Sequence, residues 1–136
     1  MLAEALVETR RRHPDAIIAV WHGGLIHEGV AEAYRAAADY VLLEAYVGGS
    51  SFVWLKLGPR LRNVRRHGLQ RKTVVTISVG DERFASTRGE IAAQLEWLRR
   101  NTHDFAGIGF FASRADEGLT VYADGLVGQF WRASTR

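Results

Sequence analysis

Glu44 and Tyr46 stand two residues apart in "DYVLLEAYVGGSS", Asp39 to Ser51, inside what otherwise reads as an apolar strand. An ionised carboxylate without a partner is costly in an apolar interior, so Glu44 must be neutralised, paired, or turned toward a solvated cavity. Other groups able to do chemistry fall at equivalent places, where an apolar run gives way to a loop. They are Trp21 and His22 before Gly23-Gly24, Asp81 and Glu82 after "TVVTISVG", and Phe111 and Ser113 in "FAGIGFFAS". Cleavage of a glycosidic bond needs one carboxylic acid to protonate the leaving oxygen and a second group as base or nucleophile. Glu44 is the candidate acid, with Asp81 as its catalytic partner and Tyr46 as a hydroxyl donor. Trp21 and Phe111 offer flat faces to the apolar side of a sugar, and His22, Glu82 and Ser113 offer polar contacts to substrate. The plainer readings are a glutamate paired with arginine inside the fold, and Asp81 and Glu82 as ordinary helix-entry acids.

The elements that would position these groups follow from periodicity. Four segments rich in β-branched or aromatic residues read as strands: Ala16 to Gly24, Tyr40 to Gly49, Thr73 to Glu82 and Phe105 to Ser113. Helical patterns precede, separate and follow them. The first runs from about Leu2 to Arg12 and stops ahead of His13-Pro14. The second covers "EGVAEAYRAAAD". The third, "SSFVWLKLGPRLRNVRRHG", is expected to break at Gly58-Pro59 and to close at Gly68. The fourth opens on a capping box, Thr87 with Glu90, and the last spans about Glu117 to Arg132.

Strands separated by helices require crossover connections, so the expected fold is α/β, four βα units with parallel strands in a single domain over residues 1–136. An open doubly wound sheet and half of a (β/α)₈ barrel both satisfy that order. Alternation favours the half-barrel. Val41, Leu43 and Ala45 alternate with Leu42, Glu44 and Tyr46; Val75, Ile77 and Val79 alternate with Thr76 and Ser78; Ile108 and Phe110 alternate with Gly107, Gly109 and Phe111. One face calls for helices, and the other holds a carboxylate, hydroxyls, glycines and rings. A complete barrel takes about 200 residues or more. The chain is therefore expected to be part of a longer barrel whose N-terminal half is missing, or to complete one as a homodimer.

Composition narrows the partners. The chain has no cysteine, which excludes disulfides, thiolate metal sites and a cysteine nucleophile. No apolar run approaches the roughly 18 residues that span a bilayer, so a soluble chain without membrane contact is expected. No compartment is indicated. Eighteen Lys and Arg against fifteen Asp and Glu give a net charge of +3. The acid-free stretch Lys56 to Lys72 lacks interleaved aromatics and reads as a solvated helix face, so no nucleic-acid partner is expected. His22 and His27-Glu28 match no helical zinc motif, and neither a metal nor a cofactor is assigned. "YVGGSS" joins a strand to a helix and could cradle a phosphate on the backbone N–H groups of Gly48 to Ser51, a further small-molecule reading.

"DYVLLEAYVGG" resembles the sixth-strand segment of chitinase-like glycoside hydrolase barrels, where an Asp-hydrophobic-hydrophobic opening leads to a Met-x-Tyr-Asp ending, and "FAGIGFFAS" with its following helix is similar to their closing strand. The resemblance implies that the four strands are the fifth to eighth of such a barrel and that Tyr46 hydrogen-bonds substrate. Glu44 stands where that family has methionine, and Val47 where it has an acid or amide. The family's acid-bearing motif lies on the fourth strand, which has no counterpart here. A carbohydrate ligand is what the resemblance implies.

Overall fold

Helices and strands alternate along the whole chain, and each strand adds to the edge left by the one before it. The computed structural model describes residues 1–46, 50–80, 87–112 and 117–134, with 50–56, 112, 117, 120 and 130–134 described by backbone alone. In order the elements are α1 (Leu2–Arg12), β1 (Ala19–His22), α2 (Glu28–Ala37), β2 (Tyr40–Glu44), α3 (Ser50–Arg66), a 3₁₀ turn (Gln70–Lys72), β3 (Thr73–Val79), α4 (Arg88–Asn101), β4 (Gly107–Ala112) and α5 (Glu117–Ser134). The fold is α/β, with one four-stranded parallel sheet in the order β1-β2-β3-β4. That order runs without the reversal that defines a doubly wound sheet.

The apolar core lies on one face of this sheet. Val41 and Leu43 on β2, Ala45 just after it, and Val75, Ile77 and Val79 on β3 are at most 1% exposed. They pack with Ala31, Ala33, Tyr34 and Ala37 of α2, Leu57, Leu61 and Val64 of α3, and Ile91, Leu95 and Leu98 of α4. Burial of each larger side chain contributes about 1.5–3 kcal/mol. The residues of opposite phase, Trp21, Leu42, Val74 and Phe111, belong to no part of that cluster. Right-handed crossovers in an unreversed strand order set the intervening helices on the same side, which accounts for the one-sided core.

Helix α3 corrects one expectation: it runs unbroken through Gly58-Pro59. Pro59 lacks the N–H of a normal helical turn, a cost that usually bends or ends a helix. Leu57, Leu61 and Val64, all at most 2% exposed, carry the buried stripe straight across that position and hold the helix together. The stop comes where Gly68 adopts a φ of +67°. The capping box at the start of α4 forms as read, with Glu90 N–H donating to Thr87 Oγ1 at 3.2 Å and the Glu90 carboxylate accepting from Thr87 N–H at 3.1 Å.

The N-terminal ends of the strands are tied by charge. Arg10 of α1 donates to the Pro14 and Ala16 carbonyls at 2.7 and 2.8 Å and pairs with Asp39. The Asp39 carboxylate also accepts from Ile18 N–H at 2.7 Å. That backbone bond, reinforced by Arg10, holds the Asp39 carboxyl below the ordinary aspartate value. Arg65 pairs with Asp104 through two bonds of 2.8 and 2.6 Å and lies over the Phe105 ring, and Lys72 donates to the Arg35 and Ala38 carbonyls. Three cations of the basic stretch, Arg60, Arg65 and Lys72, are thus engaged within the fold, while Arg62, Arg66 and Arg71 are exposed.

Candidate functional site

Strand register places Glu44 in one row with Thr76 on β3 and Gly109 on β4, on the face that the helices leave uncovered. The row toward the C-terminal ends contains Ser78 paired with Phe111. The row below contains Trp21, Leu42, Val74 and Gly107. Tyr46 follows β2 on the same side, where the Ala45 N–H to Thr76 carbonyl bond of 2.8 Å extends the β2–β3 ladder past Glu44.

Three rings converge over this face. Trp21 and Tyr46 centroids are 5.8 Å apart, Tyr46 and Phe111 5.6 Å, and Trp21 and Phe111 6.2 Å. Three strand spacings, about 14 Å, separate β1 from β4. Trp21 and Phe111 must therefore lean inward over the middle strands to meet. Both remain nearly half exposed, at 46% and 47%, and present a ring surface to solvent.

Glu44 shares this face, one register row from Trp21 and Leu42. Its carboxylate oxygen would be 3.0 Å from a Cβ at Gly23, so a side chain at that position would drive the carboxylate away. The loop carrying Gly23 is pinned from outside: Asn63 of α3 accepts from Ile26 N–H at 2.7 Å and donates to the Ile26 carbonyl at 3.1 Å, and His67 Nε2 reaches the same carbonyl at 2.9 Å. Arginine does come to the end of β2, but Arg60 donates to the Glu44 backbone carbonyl at 2.6 Å. Among the described residues no cation is paired with the Glu44 carboxylate. Burial, with the Glu44 charge adding to it, pushes the Tyr46 phenol up to about 12, so Tyr46 stays a protonated donor through neutral pH.

The structure brings Trp21, Glu44, Tyr46 and Phe111 together and sets His22 apart. His22 follows Trp21 on β1 and therefore faces the helices, where its Nδ1 lies 2.9 Å from the hydroxyl of Tyr34 in α2. Asp81, Glu82 and Ser113 lie outside the described residues, as do Gly48 and Gly49 of the phosphate-loop reading and the side chain of Ser51. Sequence reasoning did not single out Gly23, Thr76 or Gly109 as site residues. Alternation placed Thr76 and Gly109 on the right face, but their alignment with Glu44 is a matter of register. Two other concavities, about 480 Å³ between α1 and α2 and about 450 Å³ beside Arg71 and His103, are lined by none of these residues.

Comparison with protein-family models, curated proteins and solved structures finds no match to this chain.

Proposed function

We propose that the uncovered face, at the C-terminal ends of the strands, binds a carbohydrate. The observation that carries this reading is the convergence of Trp21, Tyr46 and Phe111 on the same face as Glu44, whose carboxylate is paired with no cation among the described residues. Pyranose rings present C–H faces that pack on aromatic rings, and hydroxyls that a carboxylate accepts and a phenol complements. The position fits as well, since parallel α/β sheets gather ligands beyond the carboxyl ends of their strands.

Hydrolysis is the extension of this reading. Glu44 would protonate the glycosidic oxygen, with Tyr46 orienting the sugar and Asp81 supplying the second carboxylate, at the roughly 5–10 Å separation that glycosidases use. Glu44 is the only acid that the described strands place on this face, so binding is the better supported part. Isothermal titration with chitohexaose and cellohexaose tests it. The expected result is binding of at least one sugar by the wild type, weakened about tenfold in Trp21→Ala. Any release of shorter sugars should vanish in Glu44→Gln. Failure of the wild type to bind either sugar overturns the reading.

A second reading is favoured by the sheet edges. β1 and β4 each pair on one side only among the described residues, and parallel edges are rarely left open. The chain would then be half of a (β/α)₈ barrel closed by a second copy, β1 of each beside β4 of the other. A solution mass of twice 15.2 kDa supports this closure, and the monomer mass opposes it.

A further inference from the structure

Thr76 is the polar group of this face that packing explains least. It is 4% exposed, and its Oγ1 is buried without a hydrogen-bond partner among the described residues. A buried hydroxyl in that state is a net cost to the fold. Valine would fill the same volume without that cost. Thr76 is flanked in register by Glu44 on β2 and Gly109 on β4. A Cβ at Gly109 would lie 3.5 Å from Thr76 Oγ1 and 3.3 Å from Val74 Cγ1, so any larger residue would close the space beside the hydroxyl. Gly107 and Gly109 themselves stay partly exposed, and neither has a side chain to lie over Val74 or Thr76, their register partners on β3.

We propose that Thr76, uncovered by Gly109 and adjacent to Glu44, is a specificity-determining residue of the carbohydrate site that hydrogen-bonds one hydroxyl of the bound pyranose. This rests on the carbohydrate reading above. The sugar approaches over the glycines of β4, with the half-exposed Phe111 ring as its stacking wall. The Thr76 hydroxyl then gains the partner it lacks, and the neighbouring Glu44 carboxylate accepts from an adjacent sugar hydroxyl. Such a floor selects against sugars lacking a hydroxyl at that place, because deoxygenation leaves the threonine unpartnered again.

Thr76→Val, Thr76→Ser and Gly109→Ala separate this role from a structural one. Without ligand, Thr76→Val is expected to melt at the wild-type temperature or above it, since only an unsatisfied hydroxyl is removed. Titrated with chitohexaose and cellohexaose, Thr76→Val is expected to bind about tenfold more weakly, the worth of one hydrogen bond. Thr76→Ser keeps the hydroxyl and should retain affinity, and Gly109→Ala should lose it without a matching loss of stability. A lower melting temperature for Thr76→Val means an internal partner and overturns the assignment without reference to any sugar. Equal binding by wild type and Thr76→Val overturns it while leaving the carbohydrate reading intact. A wild type that binds neither sugar overturns both.

Discussion

Along β2, Val41, Leu43 and Ala45 are sealed against helices, while Leu42, Glu44 and Tyr46, interleaved with them, face a side that no helix covers. On the first face aliphatic side chains interlock, at its lower margin Asp39 and Asp104 meet Arg10 and Arg65, and only isolated atoms such as His22 Nε2 and Gln94 Nε2 are buried without a partner among the described residues. On the second, among the described residues, a carboxylate has no cation and a threonine hydroxyl has no partner, and the Trp21 and Phe111 rings remain half exposed. One strand thus serves two purposes. The helix side is organised for stability, and the other keeps groups that stability would not select, which is the pattern expected of a surface that meets a ligand.

Substitutions on adjacent residues break the comparison most directly. Leu43→Ala should cost about 2–5 kcal/mol in chemical denaturation, the usual result of emptying a tightly packed core position. Glu44→Gln, one residue away, should leave the denaturation midpoint where it is or raise it, because its carboxylate has no ion pair among the described residues. Similar losses in both would mean that the two faces do not differ as described.

Acid should act through the helix side. The carboxyls of Asp39 and Asp104 are held below the aspartate value of 3.8, first by the Ile18 amide and the Arg65 guanidinium respectively. A lowered folded value means stability that is complete above the unfolded value and is lost as pH falls through the folded one. Stability should therefore decline below about pH 4, where unfolded aspartates begin to take up protons. Arg10→Met should flatten that decline, measured by thermal melts over an acidic series.

Alkali should act on both faces, with the smallest effect, because burial raises the Tyr34 phenol on the helix side as well as that of Tyr46. The Tyr46 phenol, raised from 10.0 to about 12 chiefly by burial, binds its proton more tightly folded than unfolded. That contribution is complete below pH 10 and is lost as pH rises from about 10 to about 12. Tyr46→Phe should remove one late-titrating phenol from the tyrosinate absorbance curve of the folded protein, leaving that of Tyr34. A curve unchanged by Tyr46→Phe would count against burial of that hydroxyl beneath the rings.

The alternation of strands and helices, and the split of each strand into an apolar and a polar face, could be read from Val41 to Tyr46 and from Thr73 to Val79 without coordinates, because pleating and helical repeat are local properties of the backbone. The capping box at Thr87 could be read for the same reason. The break expected at Pro59 could not survive, since the local penalty of proline was outweighed by Leu57, Leu61 and Val64 packing on distant strands. The residue type of His22 suggested chemistry, and its phase on a four-residue strand, which decides the face, turns it to Tyr34. The meeting of Trp21, Tyr46 and Phe111, the fit of Glu44 against Gly23 and the row of Glu44, Thr76 and Gly109 join residues far apart in the chain. They depend on interstrand register and on how the sheet lets its side chains lean together. Those are properties of the assembled sheet, which no single segment of this chain carries.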